Sequence, residues 1–365
     1  MKVCLICVEI FGWGKYGGFG SSTRLLGREL QRRGVTVYAV VPRRGNQQPI
    51  EDLDGIQVLS FPMYAPWAAR ELFRRCDADI YHSQHPSFST RLAMDAMPDR
   101  KHLITFRDPH AAKDWLIELR HPSISRVRTL LAFLYENLGV RKAVRNADGL
   151  FYCTRDIESK VRQLYGSIPA LCVLPSPIAI PEGPMRKTPA PTVCFIGRWD
   201  RRKRPELFLE TAARRPDVHF IAVGKSQDAE WDAQLRQRYG RLPNVELPGF
   251  LDPFTSAALS QVLERSWILM NTSYREGLPT SFLEALAHRC AILSAVDPGG
   301  ITQRFGARVD NDDYERGLER LLQRDAWKEK GERGYQYVKG HHDLADAIDR
   351  HLAAYGTALM PATAS

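Results

Sequence analysis

The apolar run Trp267-Ile268-Leu269-Met270-Asn271 leads into Tyr274-Arg275-Glu276-Gly277-Leu278-Pro279-Thr280-Ser281-Phe282-Leu283-Glu284-Ala285. The run suits a buried parallel strand, Gly277 and Pro279 suit a turn, and Thr280 is placed to cap a helix from Ser281 to His288. Glu276 and Glu284 have seven residues between them, so one carboxylate falls on the loop and the other in the first turns of the helix. Between them, the N–H groups of Thr280 and Ser281 leave a helix N-terminus, which favours a phosphate. Each carboxylate can accept hydrogen bonds from a pair of sugar hydroxyls. That layout suits a nucleotide sugar.

Upstream, Val193-Cys194-Phe195-Ile196-Gly197-Arg198-Trp199-Asp200-Arg201-Arg202-Lys203-Arg204-Pro205 reads as a strand, a Gly-Arg turn and a helix opening on Pro205, a favoured first helical residue. Two cations at a helix start, Arg198 and Lys203, form a diphosphate site and can offset charge growing on a departing phosphate. Arg201, Arg202 and Arg204 read as a solvated run. Downstream, Asp297-Pro298-Gly299-Gly300 follows the next strand as a turn.

These three stretches, in this order and spacing, resemble the E-x7-E, Gly-Arg-to-Lys and Gly-Gly elements of retaining glycosyltransferases of family 4. That family has the GT-B fold, α/β, with two facing Rossmann-like doubly wound domains and a cleft between them. The resemblance spans residues 191 to 300 and, more weakly, the N-terminal half. It implies that Glu284 accepts from ribose hydroxyls, that Glu276 accepts from hydroxyls of the transferred hexose, and that Arg198 and Lys203 donate to the diphosphate. Gly197, Gly224, Phe250, Gly277, Leu278, Pro279, Thr280 and Ser281 then line the donor, with the base near Pro248-Gly249-Phe250. Gly17 and Gly18 approach the diphosphate from the first domain. It also implies a front-face route in which the leaving diphosphate takes the acceptor proton.

Alternating strand and helix patterns support two parallel sheets. Strands are expected at Val3–Val8, Thr36–Val41, Gln57–Ser60, Ile80–Ser83, His102–Phe106, Gly149–Cys153 and Leu171–Leu174, with helices at Ser22–Arg33, Ser87–Ala96, Ser125–Asn146 and Asp156–Tyr165. Six prolines between Pro175 and Pro191 read as an extended linker, after which the pattern restarts. The expected domains are 1–180 on the acceptor side, 181–340 on the nucleotide-sugar side, and a helix within 341–365 that returns to the first.

Gly12, Gly14 and Gly17 spell G-x-G-x-x-G, yet the loop is too long for a dinucleotide turn, and the second strand ends in Pro42-Arg43-Arg44 without a ribose-binding acid. Trp13 and Tyr16 on this loop are candidates to line the acceptor side. Asp79-Ile80-Tyr81-His82-Ser83-Gln84-His85-Pro86 resembles the family's H-x-H-x-P stretch with Gln84 at the second His. Gln cannot act as a base, so His82 or His85 would take over, with Asp108 as a further candidate for an acceptor hydroxyl.

At 365 residues, 44% hydrophobic and 25% charged, the chain can fill two cores. Its seven cysteines suggest no disulfide framework, and Cys4-x-x-Cys7 reads as strand interior, which fits a reducing cytosol. No stretch offers 18 apolar residues in a row, and Glu9 interrupts the N-terminal run too early for a signal peptide. The D-x-D spellings at Asp52-Leu53-Asp54, Asp77-Ala78-Asp79 and Asp310-Asn311-Asp312 do not follow apolar strands, so no cofactor and no metal are expected beyond a UDP-, GDP- or ADP-hexose substrate. The net charge of +9 favours anionic partners. Arg120, Arg126, Arg128, Arg141, Lys142 and Arg145 accompany Leu130, Leu131, Phe133, Leu134, Leu138 and Val144 in one stretch. This reads either as a core-facing helix with a solvated basic face or as a helix resting on the inner face of an anionic membrane beside a lipid-linked acceptor.

The expected activity is transfer of a hexose from a nucleotide diphosphate sugar to an acceptor hydroxyl on a glycan, glycolipid or small molecule. The rival readings are a GT-B sugar-nucleotide epimerase, for which no base set is legible, and a non-catalytic binder of sugar nucleotides or nucleic acid.

Overall fold

A computed structural model describes residues 1–13, 16–122 and 125–360. Gly14, the middle glycine of the G-x-G-x-x-G spelling, and the tail 361–365 lie outside the described residues. The chain forms two compact units. The first comprises Met1–Ala111, Val127–Pro177 and the chain from Leu344; the second comprises Ala112–Arg126 and Ile178–Asp343.

The first unit holds eight strands: β1 (Lys2–Ile6), β2 (Thr36–Pro42), β3 (Ile50–Leu53), β4 (Ile56–Phe61), β5 (Ile80–Ser83), β6 (Lys101–Phe106), β7 (Gly149–Tyr152) and β8 (Leu171–Val173). Their order is β3-β4-β2-β1-β5-β6-β7-β8, parallel except for the antiparallel β3–β4 pair. Val3 and Leu5 pack into one core while Cys4 and Ile6 pack into another, because successive side chains of a strand point to opposite faces. A parallel sheet covered on both faces needs such unbroken apolar runs. Cys4 and Cys7 are free, buried thiols packed into different cores; Cys4 is strand interior as expected, whereas Cys7 lies one residue past the end of β1.

The second unit holds β9 (Thr192–Ile196), β10 (His219–Val223), β11 (Val245–Gly249), β12 (Ile268–Asn271), β13 (Ala291–Ser294) and β14 (Gly306–Arg308), all parallel, in the order β11-β10-β9-β12-β13-β14. Chain order reverses direction between β9 and β12, and such a switch point opens a crevice at the C-terminal ends of the strands.

Several elements depart from the sequence reading. β3, β14 and the helices Ala69–Cys76 and Ala112–Arg120 were not legible; β3 is a short edge strand, Ile50-Glu51-Asp52-Leu53, with no buried position. The expected helix Ser125–Asn146 is two helices, Arg126–Asn137 and Val140–Arg145, because Gly139 adopts φ 71° between them. The stretch Ala112–Arg126 groups with the second unit, not the first, since Asp114 and Glu118 pair with its arginines. The proline-rich stretch is extended but not loose. Ile178 N donates to His342 O at 2.9 Å, and Lys187 Nζ donates to the carbonyls of Leu263 and His288 at 3.2 and 2.7 Å. The C-terminal helix, Leu344–Leu359, joins the first unit by burying Ile348 and Tyr355 beside Leu26 and Leu30.

Candidate functional site

The switch point of the second unit gathers the decisive residues. Gly197 to Lys203 follow β9, and Ser273 to Thr280 follow β12, its immediate neighbour in the sheet. Backbone and side chain tie the two loops: Thr272 Oγ1 donates to the carbonyls of Lys203 and Arg204 at 2.7 and 2.8 Å, and Tyr274 N donates to Arg202 O at 3.1 Å. Lys203 is fixed by its own turn, with its N–H on Asp200 Oδ1 at 2.9 Å. Its ammonium donates to Glu276 Oε1, which also accepts from Ser273 Oγ at 2.6 Å and Asn271 Nδ2 at 3.2 Å. Burial pushes the Glu276 carboxyl up, but the charges of Lys203 and Arg202 and the hydrogen bonds from Lys203 and Ser273 outweigh it, so it is held below the ordinary range.

Arg198 stands on the same turn as Lys203, partly exposed, with its guanidinium 3.7 Å from Asp200 Oδ2. The turn depends on Gly224, after β10. At φ 141° a Cβ there would lie 2.0 Å from the carbonyl oxygen of Gly197, so only glycine lets β9 and β10 end side by side. Phe250 closes this end of the sheet with Lys225 Nζ 5.6 Å from its ring.

The helix after Glu276 spans Thr280–Ala287 with Pro279 at its N-cap, so Thr280 is its first residue and not the cap, and Ser281 the second. Proline needs no N–H there, and its fixed φ delivers the chain into the helix. Gly277 and Leu278 bridge Glu276 to this helix. Glu284 lies at the start of the second turn, half-buried, and burial raises its carboxyl to about 7. The two glutamates therefore differ in charge state near neutrality: Glu276 is ionised, and Glu284 is poised.

Of the neighbouring arginines, only Arg201 is solvated, over the Trp231 ring. Arg204 is buried, holding Asp312 with both Nη atoms, and Arg202 pairs with Glu118 at 2.9 Å. The solvated-run reading fails for these two because their partners are far off in sequence.

In the first unit two of the expected acceptor-side residues, His82 and Gln84, are withdrawn from solvent. His82 is fully buried, its ring nitrogens 2.8 Å from Tyr355 Oη and 2.8 Å from Thr105 Oγ1, and burial drives it well below its ordinary pKa. It braces the C-terminal helix instead of facing an acceptor. Gln84 is also fully buried and accepts from Arg107 Nη2 at 2.7 Å. Trp13 packs partly into the β1 core, and Tyr16 meets Phe11 edge to face at 5.0 Å. Gly17 caps the helix Gly18–Arg32, which starts four residues earlier than expected. Glu9 is the reason: its carboxylate accepts from Gly20 N at 3.1 Å, and a Cβ on Gly17 would sit 2.5 Å from it. Asp108 is partly exposed at the end of β6, close enough to raise the carboxyl of Glu136.

Residues 190–324 match the family "Glycosyl transferases group 1", and residues 17–177 match "Glycosyl transferase 4-like domain". The chain belongs to the group 1 glycosyltransferases. No curated protein matches it by sequence. In fold this glycosyltransferase is similar to sucrose-phosphate synthase from Thermosynechococcus elongatus, at TM-score 0.73 and 16% identity, covering 98% of each chain. It is also similar to HepE from Anabaena, at TM-score 0.70 and 14% identity over 97% and 99% of the two chains. WaaG, a glycosyltransferase of lipopolysaccharide biosynthesis, superposes at TM-score 0.67 and 16% identity over 98% and 100%. The fold class is therefore GT-B, and sugar transfer is the chemistry.

Sequence reading missed the residues that stiffen the glycosyltransferase site. Arg275, 5% exposed, pairs with Asp114 at 3.0 Å and lies 3.6 Å from Glu118. Asp114 and Glu118 are four apart on the helix Ala112–Arg120, so one helix face holds both site loops through Arg202 and Arg275. His121 stacks on Tyr274 at 4.2 Å beside them. A cluster of Arg-Asp pairs gives no local pattern, so the only signal was the helix's own spacing of acids.

The D-x-D acids act in the scaffold: Asp54 with Arg24, Asp77 with Arg100, Asp79 with Lys2 N and Asp312 with Arg204. Among the described residues one group could hold a metal ion, His85, His110 and Glu136.

Proposed function

We propose that this glycosyltransferase moves a hexose from a nucleoside diphosphate sugar to an acceptor hydroxyl with retained anomeric configuration. The observation that carries the reading is the Lys203–Glu276 pair at the β9/β12 switch point, with Arg198 on the same turn. Lys203 and Arg198 hold the diphosphate without a divalent cation and offset the charge gained as the bond from the anomeric carbon to the phosphate oxygen breaks. Glu276, already ionised and oriented, accepts from hexose hydroxyls, and Glu284 accepts from the ribose. Because Glu276 is committed to Lys203, Ser273 and Asn271, it positions the sugar and does not attack it. The acceptor oxygen bonds to the anomeric carbon on the face the diphosphate leaves, and its proton passes to the diphosphate. Among proteins of similar fold, HepE has been seen with UDP-glucose, TarM with UDP and alpha-GlcNAc-glycerol, and starch synthase IV with ADP and acarbose.

The acceptor reading rests on the helix Arg126–Asn137. Val127, Leu130, Leu131, Phe133, Leu134 and the following Leu138 are exposed, at 41% to 68%, beside exposed Arg126, Arg128, Arg141 and Lys142. Such a basic and apolar surface suits an anionic bilayer and hence a lipid-linked acceptor. Among the described residues no helix is long and apolar enough to cross a membrane.

The test is a panel of UDP-, GDP- and ADP-hexoses scored first by thermal shift, since a ligand that binds the native state raises Tm. The stabilising donor is then incubated with simple acceptors and lipid extracts, and the anomeric coupling of the product is read by NMR. Retention without added Mg2+ is expected. Inversion, or turnover that requires Mg2+, would overturn the mechanism.

A further inference from the structure

His85 follows β5, His110 follows β6, and Glu136 lies on the helix Arg126–Asn137, so three separate elements of the first unit converge on one point. One ligand atom from each lies within 4.8 Å of the others, and His110 Nδ1 is 3.1 Å from Glu136 Oε2. His85 is buried, and the other two side chains are 14% and 19% exposed. A four-coordinate ion bound at about 2.0–2.2 Å keeps its donor atoms near 3.3 Å apart, so the His110–Glu136 edge already fits and a modest side-chain rotation brings in His85.

We propose that His85, His110 and Glu136 form a binding site for a divalent transition-metal ion of the zinc class, with water or a further oxygen completing the shell. The ligand chemistry points to this class. Two imidazoles and one carboxylate suit Zn2+, Co2+ or Ni2+, whereas Mg2+ and Ca2+ select all-oxygen sets. The charge also fits, because Glu136 and the nearby Asp108 supply negative charge to a site whose two imidazoles are neutral when they ligate.

A second observation gives the ion a role. No residue of the helix Arg126–Asn137 is fully buried; Tyr135 packs against the first unit's core and hydrogen-bonds Ser89, while Val127, Leu130, Leu131, Phe133 and Leu134 stay exposed, so its apolar attachment is narrow. A metal bridging Glu136 to the ends of β5 and β6 would pin it there. The site is in the first unit and is independent of the cations proposed for the diphosphate.

The test uses the whole chain, stripped with a chelator and titrated with Co2+ while the visible d–d bands are followed, with Zn2+ competition. One ion per chain is expected. Substituting His85→Gln, His110→Gln or Glu136→Gln should weaken binding by at least the about 10- to 100-fold that losing even an outer-shell partner costs, while His341→Gln changes nothing. Hydrogen exchange across 126–137 should slow on loading. Because a variant could misfold, X-ray absorption on loaded wild-type protein gives an independent reading, with two imidazoles and oxygen in the first shell. No stoichiometric binding, binding that survives all three substitutions, or a shell without two imidazoles would overturn the site and leave His110–Glu136 as an ion pair.

Discussion

Lys203, two residues before Pro205 opens the next helix, donates a hydrogen bond from its ammonium to Glu276 on the neighbouring loop, and each side chain is at least 85% shielded from solvent. The pair joins the phosphate-holding and sugar-holding halves of the site. Lys203→Ala should lower turnover about 100-fold, the scale for losing one electrostatic partner in the transition state. It should also cost about 3 kcal/mol of stability, the low end for breaking a buried pair, because Ser273 and Asn271 still donate to Glu276. Arg198→Ala should match it in turnover but leave stability almost unchanged, since Arg198 is more exposed and its partner Asp200 is 3.7 Å away. Urea melts and saturating-donor kinetics on both variants separate the two effects; equal loss of stability would contradict the assignment.

Glu284 should make nucleotide binding depend on pH. Its carboxyl is raised to about 7 by burial, and the deprotonated form is the better acceptor for two ribose hydroxyls. Affinity for the bare nucleoside diphosphate should therefore climb as pH rises from about 6 to 8 and level off above, and Glu284→Gln should flatten that part of the profile. The unliganded protein should show the opposite trend. A carboxyl raised from 4.5 to about 7 binds more protons in the native state than in the unfolded one, so its contribution to stability falls as pH rises through that window. Calorimetry and melts across the range check both signs. Glu276→Ala should leave bare nucleotide affinity intact while reducing turnover with the donor sugar.

Arg275 is predicted to matter without touching a substrate. Arg275→Met leaves Asp114 buried without its nearest cation and should destabilise the protein by about 3–5 kcal/mol, whereas Arg275→Met with Asp114→Leu should recover most of that. If the single and double variants melt at the same temperature, the pair does not hold the loop.

Membrane contact through the helix Arg126–Asn137 should appear as co-sedimentation with vesicles containing acidic lipid, lost as salt rises, because exposed charges are screened within about 10 Å at 0.1 M. Reversing Arg126, Arg128, Arg141 and Lys142 to Glu should abolish it and leave donor binding unchanged. Sedimentation that survives the reversal would assign the exposed leucines another partner.

Much of this protein was legible in the chain because its information is local. Each buried strand of a parallel sheet is an apolar run, some helix starts carry a local signal such as Ser87 or Pro205, and the loops with Arg198, Lys203 and Glu276 lie directly after β9 and β12, so order and spacing put these residues and Glu284 at neighbouring strand ends. Tertiary structure decided what charges do once chains distant in sequence meet. Arg202 and Arg204 look like solvated cations until Glu118 and Asp312 arrive from 84 and 108 residues away, and Arg275 carries no local signal of its pairing with Asp114. His82 looks like a catalytic candidate until Tyr355 closes over it from 273 residues away. The Glu9 cap on the Gly18–Arg32 helix, the break at Gly139 and the meeting of His85, His110 and Glu136 belong to the same class. A side chain's type fixes which bonds it can make, but its burial and its partner fix its charge and its task, and those depend on packing that no short window of sequence contains.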